Sequence, residues 1–172
     1  MTLAAAPAQA QAVSARGTAQ AVIVEPLGLV KIQDLRFGRM AAGTTAGTVT
    51  VDPTTGACSV TGGVISFGGC GFSEFAGQGV RRLTLRIQIP TTITLNGPAG
   101  ATMVVNNFTL GTAPDLNYIG GNGNGLGNGN RRYQITSASG IFTLRVAGRL
   151  NVGANQRPGV YTGTFTVQVN YQ

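Results

Sequence analysis

The segment from Gly159 to Gln172 constrains this chain more than any other. Tyr161, Gly163, Phe165, Val167, Val169 and Tyr171 occupy every second position, and Thr162, Thr164, Thr166, Gln168 and Asn170 fill the gaps. A period of two over eleven residues specifies a β-strand with one buried face. The same pattern recurs at Leu83, Leu85, Ile87 and Ile89, and at Phe142, Leu144 and Val146, with Arg86 and Arg145 on the polar phase. Such a last strand either sits inside its own sheet or offers an edge to another chain.

The rest of the sequence fits an all-β domain. Its 172 residues suffice for one domain with a real core. Gly (27) and Pro (7) punctuate short β-branched runs, and turn signals recur at Asp52-Pro53, Asn96-Gly97-Pro98, Ala113-Pro114-Asp115 and Arg157-Pro158-Gly159. Strands are expected at 18–25, 27–38, 47–51, 82–89, 92–95, 103–110, 141–152 and 160–171, plus a hairpin about the cysteines. Eight or nine strands at this spacing predict a β-sandwich. No segment holds a 3.6-residue apolar period over three turns, so no helix is expected.

Cys58 and Cys70 bracket Ser-Val-Thr-Gly-Gly-Val-Ile-Ser-Phe-Gly-Gly. A hairpin turning at Gly62-Gly63 would set the two thiols across from each other, which predicts an intrachain disulfide. The first residues, Met1 to Val13, resemble the tail of a secretory signal, with Ala-x-Ala patterns at Ala8, Ala10 and Ala12. An oxidising, extracytoplasmic compartment is the expectation. No run approaches the ~18 apolar residues of a membrane span.

Only 10% of the residues are charged, yet the net charge is +7, and all but one of the twelve basic residues are Arg. The arginines are scattered and several alternate with apolar positions, so they mark solvent faces of sheets, and nucleic-acid binding is not expected. With no His and only Glu25, Asp34, Asp52, Glu74 and Asp115 as acids, a poised catalytic group is missing, and no enzyme, cofactor or metal site is expected. The run Gly120 to Asn130 is nearly pure Gly and Asn; it lacks the Lys-Ser/Thr of a phosphate loop and the Asp of calcium repeats, and reads as an exposed loop.

Over residues 18–172 the chain resembles the DUF4402 family of secreted bacterial proteins, which is similar to chaperone–usher pilus subunits. The resemblance rests on Pro26-Leu27, Asp34-Leu-Arg-Phe-Gly38, Gly47-Thr-Val-Thr-Val-Asp-Pro-Thr-Thr-Gly56, Gly62-Gly-Val64, Gly148-Arg-Leu-Asn-Val152, Ala154-Asn-Gln156 and Gly159-Val-Tyr-Thr-Gly-Thr-Phe165. Gly159 and Tyr171 match the pilin pattern of a glycine fourteen residues from the end and a penultimate tyrosine. The resemblance implies an immunoglobulin-like β-sandwich lacking one strand, completed by a donated N-terminal strand.

With residues 1–11 a remnant of a signal peptide or a flexible leader, the resemblance implies 12–25 as donor strand with Ala19, Ala21 and Ile23 inward, and 26–172 as the pilin domain. Gly159, Tyr161, Phe165, Val167, Val169 and Tyr171 would form the acceptor edge and chaperone-recognition strand. The implied partners are identical subunits in a filament, a periplasmic chaperone and an outer-membrane usher, at the surface of a Gram-negative cell, in adhesion or biofilm formation. The competing expectation is a self-complete secreted sandwich that recognises a glycan or protein near the Gly/Asn loop, which Tyr118 and Tyr133 flank.

Overall fold

The computed structural model describes residues 26–121 and 131–172, together with Thr18, Gln20, Ala21 and Ile23. The architecture is all-β, as the alternating patterns predict, and two antiparallel sheets close over one core. A 3-10 turn at Pro98–Gly100 is the one helical element among the described residues.

The larger sheet is organised around β12 (Ile141–Val152). Its side chains alternate, with Phe142, Leu144, Val146 and Leu150 buried and Thr143, Arg145 and Arg149 turned outward. On one edge β12 pairs first with β6 (Ser73–Gln78) and then with β3 (Met40–Val51). On the other it pairs with β9 (Thr102–Gly111), which carries β8 (Ile93–Asn96) beyond it. β1 (Gly28–Gln33) lies outside β6, and β4 (Cys58–Ser66) outside β3. A short pair, β2 (Arg36–Phe37) with β5 (Cys70–Gly71), links the two regions.

The smaller sheet runs in the order β10 (Leu116–Gly120), β11 (Arg131–Ile135), β7 (Thr84–Gln88) and β13 (Gln168–Tyr171). Leu85, Ile87, Tyr133 and Ile135 turn inward against Phe108, Phe142 and Leu144 of the core. Burying these side chains, each worth about 1.5–3 kcal/mol, is what holds the sheets face to face. Tyr118 sits directly opposite Tyr133 with ring centroids 5.5 Å apart, so the strands flanking the Gly/Asn run form a true hairpin stem.

Cys58 and Cys70 are disulfide-bonded with Cα atoms 6.1 Å apart, as expected. The route differs from a hairpin turning at Gly62-Gly63. Both glycines lie inside β4, which stays paired with β3 on either side of them. Nine extended residues would span nearly 30 Å, so the ribbon must curl for its ends to meet. The curl is local: Ala42 and Gly47 on β3 face Val64 and Gly62, leaving 43–46 as a bulge, and Gly62 adopts φ +66°. A side chain at Gly62 would collide with the main chain of Ala46.

The last segment also departs from the expected continuous strand. Only Gln168–Tyr171 forms a ladder, although the inward-outward alternation runs through Phe165 to Tyr171 as the pattern predicts. Phe165, Val167 and Val169 are half-buried rather than fully buried. The neighbouring chain explains the gap. β7 ends at Gln88 and β8 begins at Ile93, and the intervening residues include Pro90, which cannot donate to a ladder.

Candidate functional site: an open groove between two sheet edges

β1 is one edge of the larger sheet and β13 one edge of the smaller. The two come together at one end, where a Cβ on Gly79 would touch both Leu27, just before β1, and Tyr171 of β13. Away from that end they diverge, and a groove of about 1100 Å³ opens between residues 31–42 and residues 156–165. Its floor is apolar: Phe75, Ile93, Leu95, Met103, Leu150 and Val152. Leu35, Phe37 and Met40 form one wall, and Tyr161 and Phe165 the other.

The second wall is braced at both ends and free between them. Tyr161 donates its hydroxyl to the carbonyl of Arg157 at 2.7 Å and accepts from Gln156 Nε2 at 2.8 Å. Gln156 in turn bonds the carbonyl of Thr102. Thr162 and Asn96 exchange main-chain hydrogen bonds. At the far end β13 pairs with β7, and the Tyr171 hydroxyl accepts from the main-chain N–H of Val80 at 2.9 Å.

Gly159 turns the chain into this wall at φ +152°, with its α-carbon set so close to Pro98 that a Cβ would lie 2.5 Å from the ring. Glycine is required there on both counts. Among the described residues, the free stretch is held by side chains alone. The ring of Phe165 packs at 5.7 Å from that of Phe108 and 6.3 Å from that of Phe75.

Strand periodicity fixes which main-chain groups face the groove. The N–H of Gln172 bonds the carbonyl of Thr84, so Gln172, Asn170 and Gln168 are the positions that exchange hydrogen bonds with β7. The odd-numbered residues point their N–H and C=O to the opposite, outer edge. Among the described residues, Gly163, Phe165, Val167 and Val169 have no main-chain partner there. An apolar groove therefore lies beside a row of unused backbone donors and acceptors.

Of the residues expected to act as donor, Ala21 and Ile23 are exposed, Ile23 to 97%; Ala19 lies outside the described residues, as do residues 1–11 and most of 12–25. Of the expected acceptor positions, Gly159, Tyr161 and Phe165 line the one wall, and Val167, Val169 and Tyr171 continue the same segment into β13 beyond it. Periodicity alone does not reveal the other wall, Leu35 to Met40, which is brought to the groove by tertiary packing, with β2 paired to β5. No group of three or more metal-ligating side chains occurs among the described residues, and no helix of the described residues is long and apolar enough to cross a membrane.

A family model described as a domain of unknown function, DUF4402, matches residues 27–171, which takes in both walls and the floor of the groove. The chain belongs to the DUF4402 family. No curated protein and no solved structure matches it. The match begins at Leu27, so the DUF4402 domain comprises the sandwich with its open groove and leaves the exposed Ile23 outside.

Proposed function

We propose that this DUF4402 protein is the structural subunit of an extracellular surface filament, a pilus assembled by strand donation between copies. The observation that carries the reading is the pairing of an apolar groove with an outer edge at Gly163–Val169 whose main-chain groups lack partners among the described residues. A strand edge of this kind is an aggregation hazard unless a strand covers it. A donated strand satisfies both needs: its main chain completes the ladder and its alternate side chains fill the groove.

The segment 12–25 is the donor in this reading, with Ala19, Ala21 and Ile23 facing the floor of the next subunit. The exposure of Ile23 supports this, because a branched side chain left in water gains about 1.5–3 kcal/mol on burial. A periplasmic chaperone would cover the groove before assembly and an outer-membrane usher would export the subunit, placing the filament on the surface of a Gram-negative cell in adhesion or biofilm formation.

Replacing Ile23 by Asp tests the reading. An unpaired carboxylate in an apolar groove is strongly unfavourable. Electron microscopy should find filaments of the unsubstituted chain and only monomeric protein for Ile23→Asp, with the fold of both intact by circular dichroism. Filaments of normal length from Ile23→Asp would contradict donation by this segment.

A further inference from the structure

The outer face of the four-stranded sheet joins arginines that are scattered in the sequence. Arg132 of β11 lies directly opposite Arg86 of β7, and Asn170 of β13 lies opposite Arg86 on its other side. Gln88 and Gln168 form the next row on one side, and Asn117, Gln134 and Thr84 the row on the other. Like charges directly opposite one another on a sheet face destabilise it, so this placement calls for a counter-charge.

The chain does not supply one from its described residues. Asp34 pairs with Lys31, Glu74 with Arg145, Asp52 accepts within its own turn and Asp115 accepts from the main-chain N–H of Thr143. The fifth acid, Glu25, lies outside the described residues. Arg86 Nε is shielded from solvent and has no acceptor among the described residues. Part of the desolvation that binding an anion would demand is thus already built into the fold. Arg132, Gln168 and Asn170 are exposed.

We propose that this face binds an acidic polysaccharide of the polyuronate class, independently of the groove. Its carboxylates would meet Arg86 and Arg132, whose planar guanidinium groups suit bidentate contact. Its hydroxyls would meet Gln88, Gln168 and Asn170, whose amides both donate and accept. Two features favour a uronate over a nucleic acid. Tyr133 and Tyr171 stand opposite Leu85 on the inner face, so the outer rows hold no ring on which bases stack. Among the described residues, this face also carries no helix that could enter a duplex groove.

Fluorescein-labelled oligogalacturonate, titrated into the full chain and followed by anisotropy, tests the proposal. Binding should weaken at least about tenfold in Arg86→Gln/Arg132→Gln, which removes two charge-assisted contacts. It should be unchanged in Arg145→Gln/Arg149→Gln, which removes the same charge from the outer face of the larger sheet, and neutral dextran should not compete. Amide chemical shifts of the unsubstituted chain provide a readout that does not depend on a variant folding, and the perturbed signals should fall on β7, β11 and β13. Equal weakening in both double variants, duplex DNA binding as tightly as the uronate, shifts centred elsewhere, or no binding at low salt would each overturn the proposal.

Discussion

Thr162 and Asn96 exchange two main-chain hydrogen bonds, of 3.0 and 2.8 Å, and the ladder they begin stops there. Pairing resumes, now with the smaller sheet, only at Gln168, opposite Gln88. The wall of the groove is therefore a strand fastened at its ends and open along its middle. That arrangement gives the Gly159–Val169 segment its functional interest and makes its behaviour measurable.

The entry to the wall depends on Gly159. Alanine there would have to hold φ near +152° and place its Cβ against Pro98. Gly159→Ala should destabilise the domain by about 1–3 kcal/mol, read as a lower urea midpoint. An unchanged midpoint would mean that the turn relaxes without cost.

Two phenylalanines in contact should respond differently. Phe108 is fully buried, whereas Phe165 is half-buried at the groove. Phe108→Ala should cost about 3–5 kcal/mol and Phe165→Ala less, about 2 kcal/mol, because part of its ring already faces water. Equal losses would show that the wall is packed as tightly as the core.

The Cys58–Cys70 bond closes a twelve-residue separation across the curled ribbon. Replacing both by Ser should lower stability by about 2–3 kcal/mol in the chain-entropy account, and peptide mapping without reductant should recover the two residues linked. Free thiols at both positions would contradict the pairing.

Asp52 accepts hydrogen bonds at 2.8 Å from the main-chain N–H groups of Thr55 and Thr54, which hold its pKa below the ordinary 3.8. A carboxyl depressed in the folded state binds its proton more readily when unfolded. Its contribution is therefore present above pH about 3.8 and is lost as the pH falls through the lower folded value. The Asp52 side-chain carbon signal, followed by NMR, should titrate below 3.8; a midpoint at or above that value would contradict the bonding.

Where one face is buried and the other wet, the sequence announces the strand. Leu85 and Ile87, or Phe142, Leu144 and Val146, alternate cleanly with Arg86 and Arg145, and the expected strands lie within a few residues of β7 and β12. The short β6, Ser73–Gln78, has one large apolar residue, Phe75, and offers no such alternation. Gly62-Gly63 reads as a turn because glycine pairs usually make one; here they let β4 curl against the bulge in β3. The gap in the ladder between Thr162 and Gln168 is set by a break at Pro90, distant in sequence, and the Arg86–Arg132 pair by register between strands. Both are long-range facts that local pattern does not carry.

Amide hydrogen exchange across Gly163 to Gln172 tests the donated-strand account most directly. In a chain lacking residues 1–25, the amides of Phe165, Val167 and Val169 should exchange fast, while those of Asn170 and Gln172, on the β7 side, are protected. Adding a synthetic peptide of residues 12–25 should slow the odd-numbered amides and leave the even-numbered ones as they were. Odd-numbered amides that are already protected without the peptide, or that remain fast at saturating peptide, would contradict strand donation into this groove.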